Sequence, residues 1–550
     1  MAPTCLIANR PLSSYLGPEA LTGRLMSEIN KSNAASSSLL FIAFLAVLFQ
    51  FLSRYAAAPV ADFSSDAWGL LQRAESEPSF PAIWRLILQE PDRPLQAGVL
   101  IATFRLFGDC PWLYAVQGMV VYSLYMLVAV ALTWKLTGDR RAALVFGLVF
   151  ALLPNLSESF QWAAMTTVAY MQVAYVASAW CWVHFVRRGG ATVLIASVFF
   201  YAIAVTSYEW GFALPLVLGI LTLRPGSYRR LWGLLPFGLV AALYLTWRLT
   251  KGFGMAQGVL FPPRELEASA DAVVWNASEV IRWWIGSHML DCLRNGLHSF
   301  ATMSKWPQRL FAVTDFAVVL ALGAYVVGFF RREAPHPGGS PPPFASWQLA
   351  AFSIAWVITG HAPSLVSWTA ARMNFYPAFG VALLCSITLA RIDARKWVGA
   401  FCVSAFVLLL ANQGTAVSWK DAGVFQRRLY EYLQAHEEDW SQKEAVLFDT
   451  TQLRQRQTLG ILPPPDNEPH TWAYYGNASL LRGFVPAAMI RLVRTSEPRP
   501  KTALDMECGA RIESGELIWH ERYDPGRPLK TSVEKVYVVD CFSVGSGQTR

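Results

Sequence analysis

The stretch LYAVQGMVVYSLYMLVAVALTW, residues 113–134, carries no charged side chain. A helix needs about 20 mostly apolar residues to cross the hydrocarbon core of a bilayer, so this stretch predicts a transmembrane helix. The same pattern recurs along the chain and predicts an all-α polytopic membrane protein with about eleven transmembrane helices. The predicted spans are 38–54, 113–134, 141–157, 163–186, 190–206, 210–224, 231–248, 310–330, 346–361, 373–390 and 396–413.

The composition agrees with this fold class. Of the 550 residues, 54% are hydrophobic and 15% are charged, whereas soluble domains carry about 25% charged residues. The net charge of +8 comes from short basic clusters between apolar runs, which is typical of membrane topology signals and not of a nucleic-acid-binding stripe. We therefore expect membrane lipids as partners and no nucleic acid. The cysteines have no metal-site spacing, so no cofactor is predicted with certainty and a divalent metal ion stays open.

The basic clusters also predict the orientation. With the N-terminus in the cytoplasm, the loops that fall inside carry Lys135 with Arg140 and Arg141, Arg187 with Arg188, Arg224 with Arg229 and Arg230, Arg331 with Arg332, and Arg391 with Arg395 and Lys396. The short outer turns 155–161 and 207–210 carry no Lys or Arg. This alternation follows the positive-inside rule and places the C-terminus on the extracytoplasmic side of the membrane.

The predicted domain organisation follows from the same pattern. The predicted units are a cytoplasmic segment 1–37, a transmembrane domain 38–413 with extracytoplasmic loops 55–112 and 249–308, and an extracytoplasmic C-terminal domain 414–550. Strand-like stretches such as VYVV at 536–539 predict a small α/β or β fold for that C-terminal domain. In the second loop, Trp283, Trp284 and Trp306 predict an interfacial aromatic belt or an amphipathic helix on the membrane.

Acidic residues next to the apolar runs collect on the predicted outer side. Acids at membrane depth are costly and usually functional. A carboxylate can act as general base on an acceptor hydroxyl, and an arginine can hold a phosphate through two hydrogen bonds. Such a pocket suits group transfer from a lipid phosphate. The candidate residues are Asp62, Asp66, Asp92, Arg93, Glu158, Glu209, His361 and Arg372.

Five short motifs in order resemble a known family. They are ADFSSDA at 61–67, DRPL at 92–95 followed by LFGDCPWLY at 106–114, LPNLSESFQW at 153–162, SYE at 207–209 with Pro215 beyond, and ARMNFYP at 371–377. Together they resemble the GT-C superfamily of polyprenyl-phosphate-sugar-dependent glycosyltransferases, and within it the bacterial multi-pass transferases and the protein O-mannosyltransferases that carry tetratricopeptide repeats. The resemblance covers roughly residues 38–412.

The resemblance implies a GT-C-like fold in a bacterial inner membrane and an inverting transfer of sugar from a polyprenyl-phosphate donor. The acceptor would be a lipid, a glycan or a protein. By analogy, Asp66 is the first choice of general base and Asp62 the second, and Arg372 would bind the donor phosphate. Glu158 and Glu209 would orient the substrate or support the base, and Asp92, Arg93 and His361 are further candidates for substrate binding. The chain departs from the family motifs at Leu153, Tyr208 and Ala371, where the family has His, Lys and Glu.

Other interpretations of the same residues stay open. Asp62 and Asp66 could cap a helix, Asp92 and Arg93 could form a local salt bridge, and Arg372 could anchor a helix end. A lone His361 is poor support for a metal. The alternative functions are a transporter or lipid flippase, which predicts acids near mid-membrane, a polysaccharide polymerase or ligase, and a catalytically inactive membrane scaffold.

Overall fold

The computed structural model describes residues 37–59, 79, 81, 84, 93–156, 159–160, 166–223, 228–250, 270–333, 343–365, 371–443, 445–449, 491–495, 509–521 and 524–540. This part of the chain is mostly helical. Five of its helices are long and apolar enough to cross a membrane, by length and composition. These are Ser37–Arg54, Pro111–Thr137, Arg229–Thr250, Lys305–Arg332 and Ala394–Ala435.

The described helices are given in chain order. They are α1 Ser37–Arg54, α2 Pro94–Phe107, α3 Pro111–Thr137, α4 Arg140–Leu152, α5 Thr166–Arg188, α6 Ala191–Ser207, α7 Leu214–Ile220, α8 Leu235–Thr250, α9 Ala270–Ile285, α10 Ser287–Thr302, α11 Lys305–Arg332, α12 Ser346–Leu365, α13 Phe375–Leu389, α14 Ala394–Ala435 and α15 Glu437–Ser441. Short 3₁₀ turns lie at Pro154–Leu156, Glu209–Gly211 and Ala371–Asn374.

Each predicted span overlaps a helix, but the helices differ in length. The sixth span, 210–224, holds only α7, whose seven residues rise about 10 Å, a third of the hydrocarbon thickness. Pro215 lies in its first turn, where the missing N–H costs nothing. The sixth stretch is therefore too short to cross a bilayer as a helix by itself, and the count of eleven spans stays a prediction.

Aromatic rings fill the centre of the helical part. Phe375 at the start of α13 packs against Tyr125, Phe150 and Phe160 with ring centroids 5.1–5.7 Å apart. Close approach of α13 to α12 depends on Gly380, because a Cβ there would come within 2.5 Å of the Ser353 carbonyl oxygen. The side chains of Tyr125 and Phe375 are fully buried, so these rings hold α3, α4 and α13 together through packing.

The loops predicted to be cytoplasmic meet at one end of this bundle. Lys135 Nζ lies 3.0 Å from His184 Nδ1, and Arg140 forms a salt bridge of 3.0 Å with Glu333. A further contact joins Gln348 Nε2 to the Leu223 carbonyl oxygen at 3.2 Å. Four chain segments that the sequence assigns to one side of the membrane thus lie together.

The second long loop contains two helices that pack on the protein. In α10, Gly296 lies so close to α14 that a Cβ would come within 2.8 Å of the Thr415 hydroxyl oxygen. Trp283 in α9 is only 9% exposed, and the Trp284 ring nitrogen donates a hydrogen bond to another helix. Trp283 is thus covered by protein, Trp284 is half-buried and Trp306 is exposed. The aromatic belt or amphipathic helix stays a prediction.

The end of the described chain forms a mixed sheet. The strands are β1 Ala445–Asp449, β2 Arg491–Thr495, β3 Gly509–Glu513, β4 Glu516–Glu521, β5 Asp524–Ser532 and β6 Val536–Asp540. Their order is β5-β4-β3-β2-β1-β6, with β1 parallel to both neighbours and the β3-β4-β5 edge antiparallel. Helix α14 runs 42 residues without a break at residue 413, and the sheet contacts its far end through the hydroxyls of Tyr432 and Tyr537, 3.1 Å apart. The division at 413/414 stays a prediction.

Candidate functional site

Arg93 joins the first long loop to the turn that contains Glu209. It precedes Pro94, which starts α2, and its side chain is 5% exposed. The guanidinium carbon lies 3.5 Å from the ring centroid of Tyr208, and the Tyr208 ring packs 4.3 Å from that of Trp210. A desolvated cation on an aromatic face contributes about 2 kcal/mol. Two of the sequence motifs therefore meet at Tyr208.

Tyr175 joins the Glu209 turn to the segment that follows Arg372. Its hydroxyl donates a hydrogen bond of 2.7 Å to the Tyr208 carbonyl oxygen, and its ring lies 5.3 Å from that of Tyr376. The ring nitrogen of Trp356 in α12 donates to the Tyr376 carbonyl oxygen at 3.0 Å. The Glu209 turn and the start of α13 are thus held around α12 by buried aromatic side chains.

The turn Pro154–Leu156 lies against the turn Ala371–Asn374. Nearby, the Tyr122 hydroxyl donates to the Ser159 carbonyl oxygen, and the ring centroids of Phe160 and Phe375 are 5.7 Å apart. Asn155 Nδ2 donates a hydrogen bond of 3.0 Å to the Trp283 carbonyl oxygen. The LPNLSESFQW motif therefore lies beside the ARMNFYP motif, with α9 closing over it.

His361 lies near the end of α12 on the same side of the bundle. Its side chain is 4% exposed, and its Nε2 accepts a hydrogen bond of 2.8 Å from the Trp284 ring nitrogen. The neighbouring Gly360 allows α12 to approach Tyr376, because a Cβ there would come within 2.5 Å of that ring. His361 thus lies between α9 and the start of α13.

The remaining candidate residues have no described side chain. Asp62, Asp66, Asp92 and Glu158 lie outside the described residues, whereas Glu209 and Arg372 have a described backbone only. The structure brings together the segments that carry Arg93, Glu209, His361 and Arg372. The general base, the phosphate ligand and the placement of Glu158 stay predictions.

A buried polar junction beside these turns was missed from the sequence. Arg54, at the end of α1, is 2% exposed and donates to Asn412 Oδ1 at 3.0 Å and to the Leu153 carbonyl oxygen. Asn412 Nδ2 in turn donates to Ser53 Oγ at 2.8 Å and to the Leu152 carbonyl oxygen at 3.2 Å. These bonds tie the ends of α1 and α4 to α14. The adjacent amides at 412–413 within an apolar run were the signal in the sequence.

Asp315 was missed as well. It lies in α11, about 15 Å along the helix from Lys305, and its side chain is 1% exposed. Oδ1 accepts a hydrogen bond of 3.2 Å from Gln413 Nε2. The sequence analysis did not name Asp315, although its position within the predicted span 310–330 can be read from the sequence.

The described part of the chain contains no cluster of side chains that could hold a metal ion. Among residues whose placement is described, no three His, Cys, Asp or Glu side chains come together as metal ligands would. Asp62 and Asp66, the two acids of the first-loop motif, are not among those residues. The binding of a divalent metal ion stays an alternative.

Comparisons with known proteins gave matches to solved structures. No protein-family model matches the chain, and no curated protein matches it in sequence. The chain is similar to the crystal structure of ArnT from Cupriavidus metallidurans bound to undecaprenyl phosphate, with 15% sequence identity and a TM-score of 0.40. The match covers 82% of this chain and 77% of that one. At this level of similarity nothing about the chemistry of this chain follows from the other protein.

Proposed function

We propose that the chain is an inverting glycosyltransferase that moves a sugar from a polyprenyl-phosphate donor to an acceptor hydroxyl. The acceptor would be a hydroxyl group of a lipid, a glycan or a protein. The main support for this proposal is that motifs far apart in the sequence lie close together in the fold. Arg93, the Glu209 turn and the Arg372 turn are separated by more than a hundred residues each, yet Arg93 lies on Tyr208 next to the Glu209 turn, and both turns pack on α12.

The reaction requires a base, a cation and a place for the lipid. The carboxylate of Asp66, or alternatively Asp62, takes the proton of the acceptor hydroxyl. The oxygen then bonds to the anomeric carbon while the bond from that carbon to the phosphate oxygen breaks, which inverts the configuration. The departing phosphate carries the electron pair, and Arg372 and Arg93 stabilise its growing charge. No general acid is needed for this leaving group, unlike glycoside hydrolysis.

Two amide substitutions test the base. Asp66→Asn and Asp62→Asn keep the shape of the side chain but cannot accept the proton, so the variant at the true base should lose transfer by about 100-fold or more. Transfer is measured with purified protein and radiolabelled polyprenyl-phosphate sugar. The matched control is Asp393→Asn, at the N-cap of α14, where asparagine caps as well as aspartate. Full activity in both loop variants, with normal folding, would rule out a first-loop base.

We propose further that the site faces away from the cytoplasm. The support is the alternation of basic loops together with their contacts at the opposite end of the bundle. In this orientation the N-terminus is cytoplasmic and residues 414–550 form an extracytoplasmic domain. Single cysteines at Ser157 and Gly138 should then react with an impermeant maleimide from opposite sides of the membrane. Labelling of both from one side contradicts the topology.

Transport of a lipid-linked glycan is a second candidate, and Asp315 favours it. A buried carboxyl group within a candidate span is typical of ion or substrate pathways. Asp315→Asn keeps the bond to Gln413 possible and removes the charge. If the protein is a transporter, this variant should abolish lipid flipping in proteoliposomes; if it is a transferase, sugar transfer should persist within about threefold of wild type.

A further inference from the structure

The hydrogen bond between Trp284 and His361 determines where the histidine carries its proton. An indole ring nitrogen can only donate a hydrogen bond. Because Trp284 Nε1 donates to His361 Nε2 at 2.8 Å, Nε2 must present its lone pair and cannot carry a hydrogen. The imidazole is therefore neutral and its single N–H is on Nδ1. The tautomer of His361 therefore follows from the fact that the indole of Trp284 can only donate.

The Nδ1 atom is buried and has no hydrogen-bond partner among the described residues. A donor taken out of water without an acceptor is costly, more so within a membrane protein. Two contacting turns contain similar donors. Trp210 Nε1 in the turn Glu209–Gly211 and Asn374 Nδ2 in the turn Ala371–Asn374 are also buried, with no partner in the part of the chain that the structure describes. Both turns pack on α12, which carries His361.

These three groups share one chemistry. Each is a neutral nitrogen that donates hydrogen bonds, and each belongs to a segment that carries a candidate binding residue. Neutral donors suit oxygen atoms that accept, such as those of a phosphate or of sugar hydroxyls. They hold such oxygens without the desolvation cost of another buried charge. Indole and imidazole N–H groups with fixed rings also lose little side-chain entropy on binding.

We propose that His361 is a tautomer-locked donor whose Nδ1–H binds an oxygen of the lipid-phosphate substrate, with Trp284 as the positioning residue that keeps the proton on Nδ1. This proposal rests on the proposed function, and it assigns His361 to binding through a neutral N–H. It also means that His361 supplies neither a general base at Nε2 nor a metal ligand there, because Trp284 occupies that lone pair. The phosphate and the sugar are the two sources of the accepting oxygen.

Two substitutions separate the two ring nitrogens. His361→Asn places an amide near the position of Nδ1 and removes the group that Trp284 binds. His361→Gln places its amide near the position of Nε2 and leaves no donor at Nδ1. We expect the affinity for undecaprenyl phosphate, measured with purified protein in detergent, to fall about tenfold in H361Q and no more than about threefold in H361N. Equal loss in both variants, loss in neither, or the reverse order, found with undecaprenyl phosphate and with the sugar-loaded donor alike, overturns the proposal.

The tautomer has its own measurement, which needs no substrate. In protein with ¹⁵N-labelled histidine, assigned by the signals missing from H361N, His361 should show a protonated Nδ1 and an unprotonated Nε2. Trp284→Phe removes the donor and should allow the proton to exchange between both nitrogens. Trp283→Phe is the matched control, since Trp283 is the adjacent tryptophan and its side chain makes its ring contact with His288. An Nε2–H signal in the wild-type protein overturns the proposal.

The two proposals fail in different ways. If wild-type protein binds no undecaprenyl phosphate while the tautomer is as described, the donor assigned under the proposed function is wrong. If it binds that lipid and H361Q binds both that lipid and the sugar-loaded donor as well as wild type does, the role of His361 is wrong and the transferase proposal stands. A comparison with the sugar-loaded donor shows which group supplies the accepting oxygen. If H361Q loses affinity for the sugar-loaded donor only, the contact is to the sugar. If it loses affinity equally for both lipids, the contact is to the phosphate.

Discussion

The substitution Gly360→Ala tests whether the packing around α12 holds the site together. The new Cβ would lie 2.5 Å from Tyr376 Cδ1 and 2.9 Å from Pro377 Cγ. To reach ordinary contact, the Tyr376 ring must therefore recede by about 1 Å and the Pro377 ring by about 0.5 Å. Tyr376 is fully buried between Tyr175 and Trp356, and its carbonyl oxygen accepts the Trp356 hydrogen bond. The rings therefore have no free space into which to move.

The magnitude follows from three contributions. Overpacking a filled core costs about 1–3 kcal/mol, and weakening the Trp356 hydrogen bond adds about 1 kcal/mol. The helix preference for alanine over glycine offsets about 1 kcal/mol. We therefore expect Gly360→Ala to lower the free energy of unfolding by about 2 kcal/mol. The start of α13 follows the Arg372 turn, so displacing Tyr376 and Pro377 should also move that turn and slow sugar transfer about 10- to 100-fold.

The assay compares Gly360→Ala with a glycine in open space. A Cβ added at Gly238 in α8 would have no atom within 4 Å, so Gly238→Ala keeps the gain in helix preference without the clash. Unfolding is followed in mixed micelles with increasing dodecyl sulfate, and transfer is measured on the same preparations. The two variants should differ by about 3 kcal/mol. A Gly360→Ala protein as stable and as active as Gly238→Ala would refute the packing argument.

Two further substitutions test the helix contacts. Asn412→Leu removes one acceptor of the buried Arg54 guanidinium and should lower the free energy of unfolding by about 3 kcal/mol, measured in the same micelles; a change under about 1 kcal/mol would contradict the polar junction. Gly414→Ala places a methyl group 2.6 Å from the backbone nitrogen of Phe300 in α10, and since backbone cannot give way, we expect α10 to separate from α14 and trypsin to cleave the second loop faster. Gly399→Ala in the same helix, where a methyl group meets nothing, should leave the cleavage rate as it is.

Sequence patterns were reliable where the physical cause is local. The uncharged stretch 113–134 predicted a helix that the structure extends to Pro111–Thr137, since length and lack of charge are properties of a single segment. The pattern was less informative at 210–224, where the apolar composition continues but the helix is interrupted on both sides. Trp283 and Trp284 were predicted from composition to belong to an aromatic belt or an amphipathic helix, and composition did not show that Trp283 is buried or that Trp284 donates a hydrogen bond to His361.

By itself the sequence determined the helical class, the approximate positions of the apolar segments, the alternation of basic loops, the motifs that nominated Arg93, Glu209 and Arg372, and the position that nominated His361. Only the tertiary structure decided that Arg93 lies on Tyr208, that Asn412 receives a hydrogen bond from Arg54, and that Trp284 dictates the tautomer of His361. The reason is physical. A helix forms from the chemistry of consecutive residues, whereas a hydrogen bond between residues 77 or 358 positions apart depends on how complete helices pack, which no local pattern encodes.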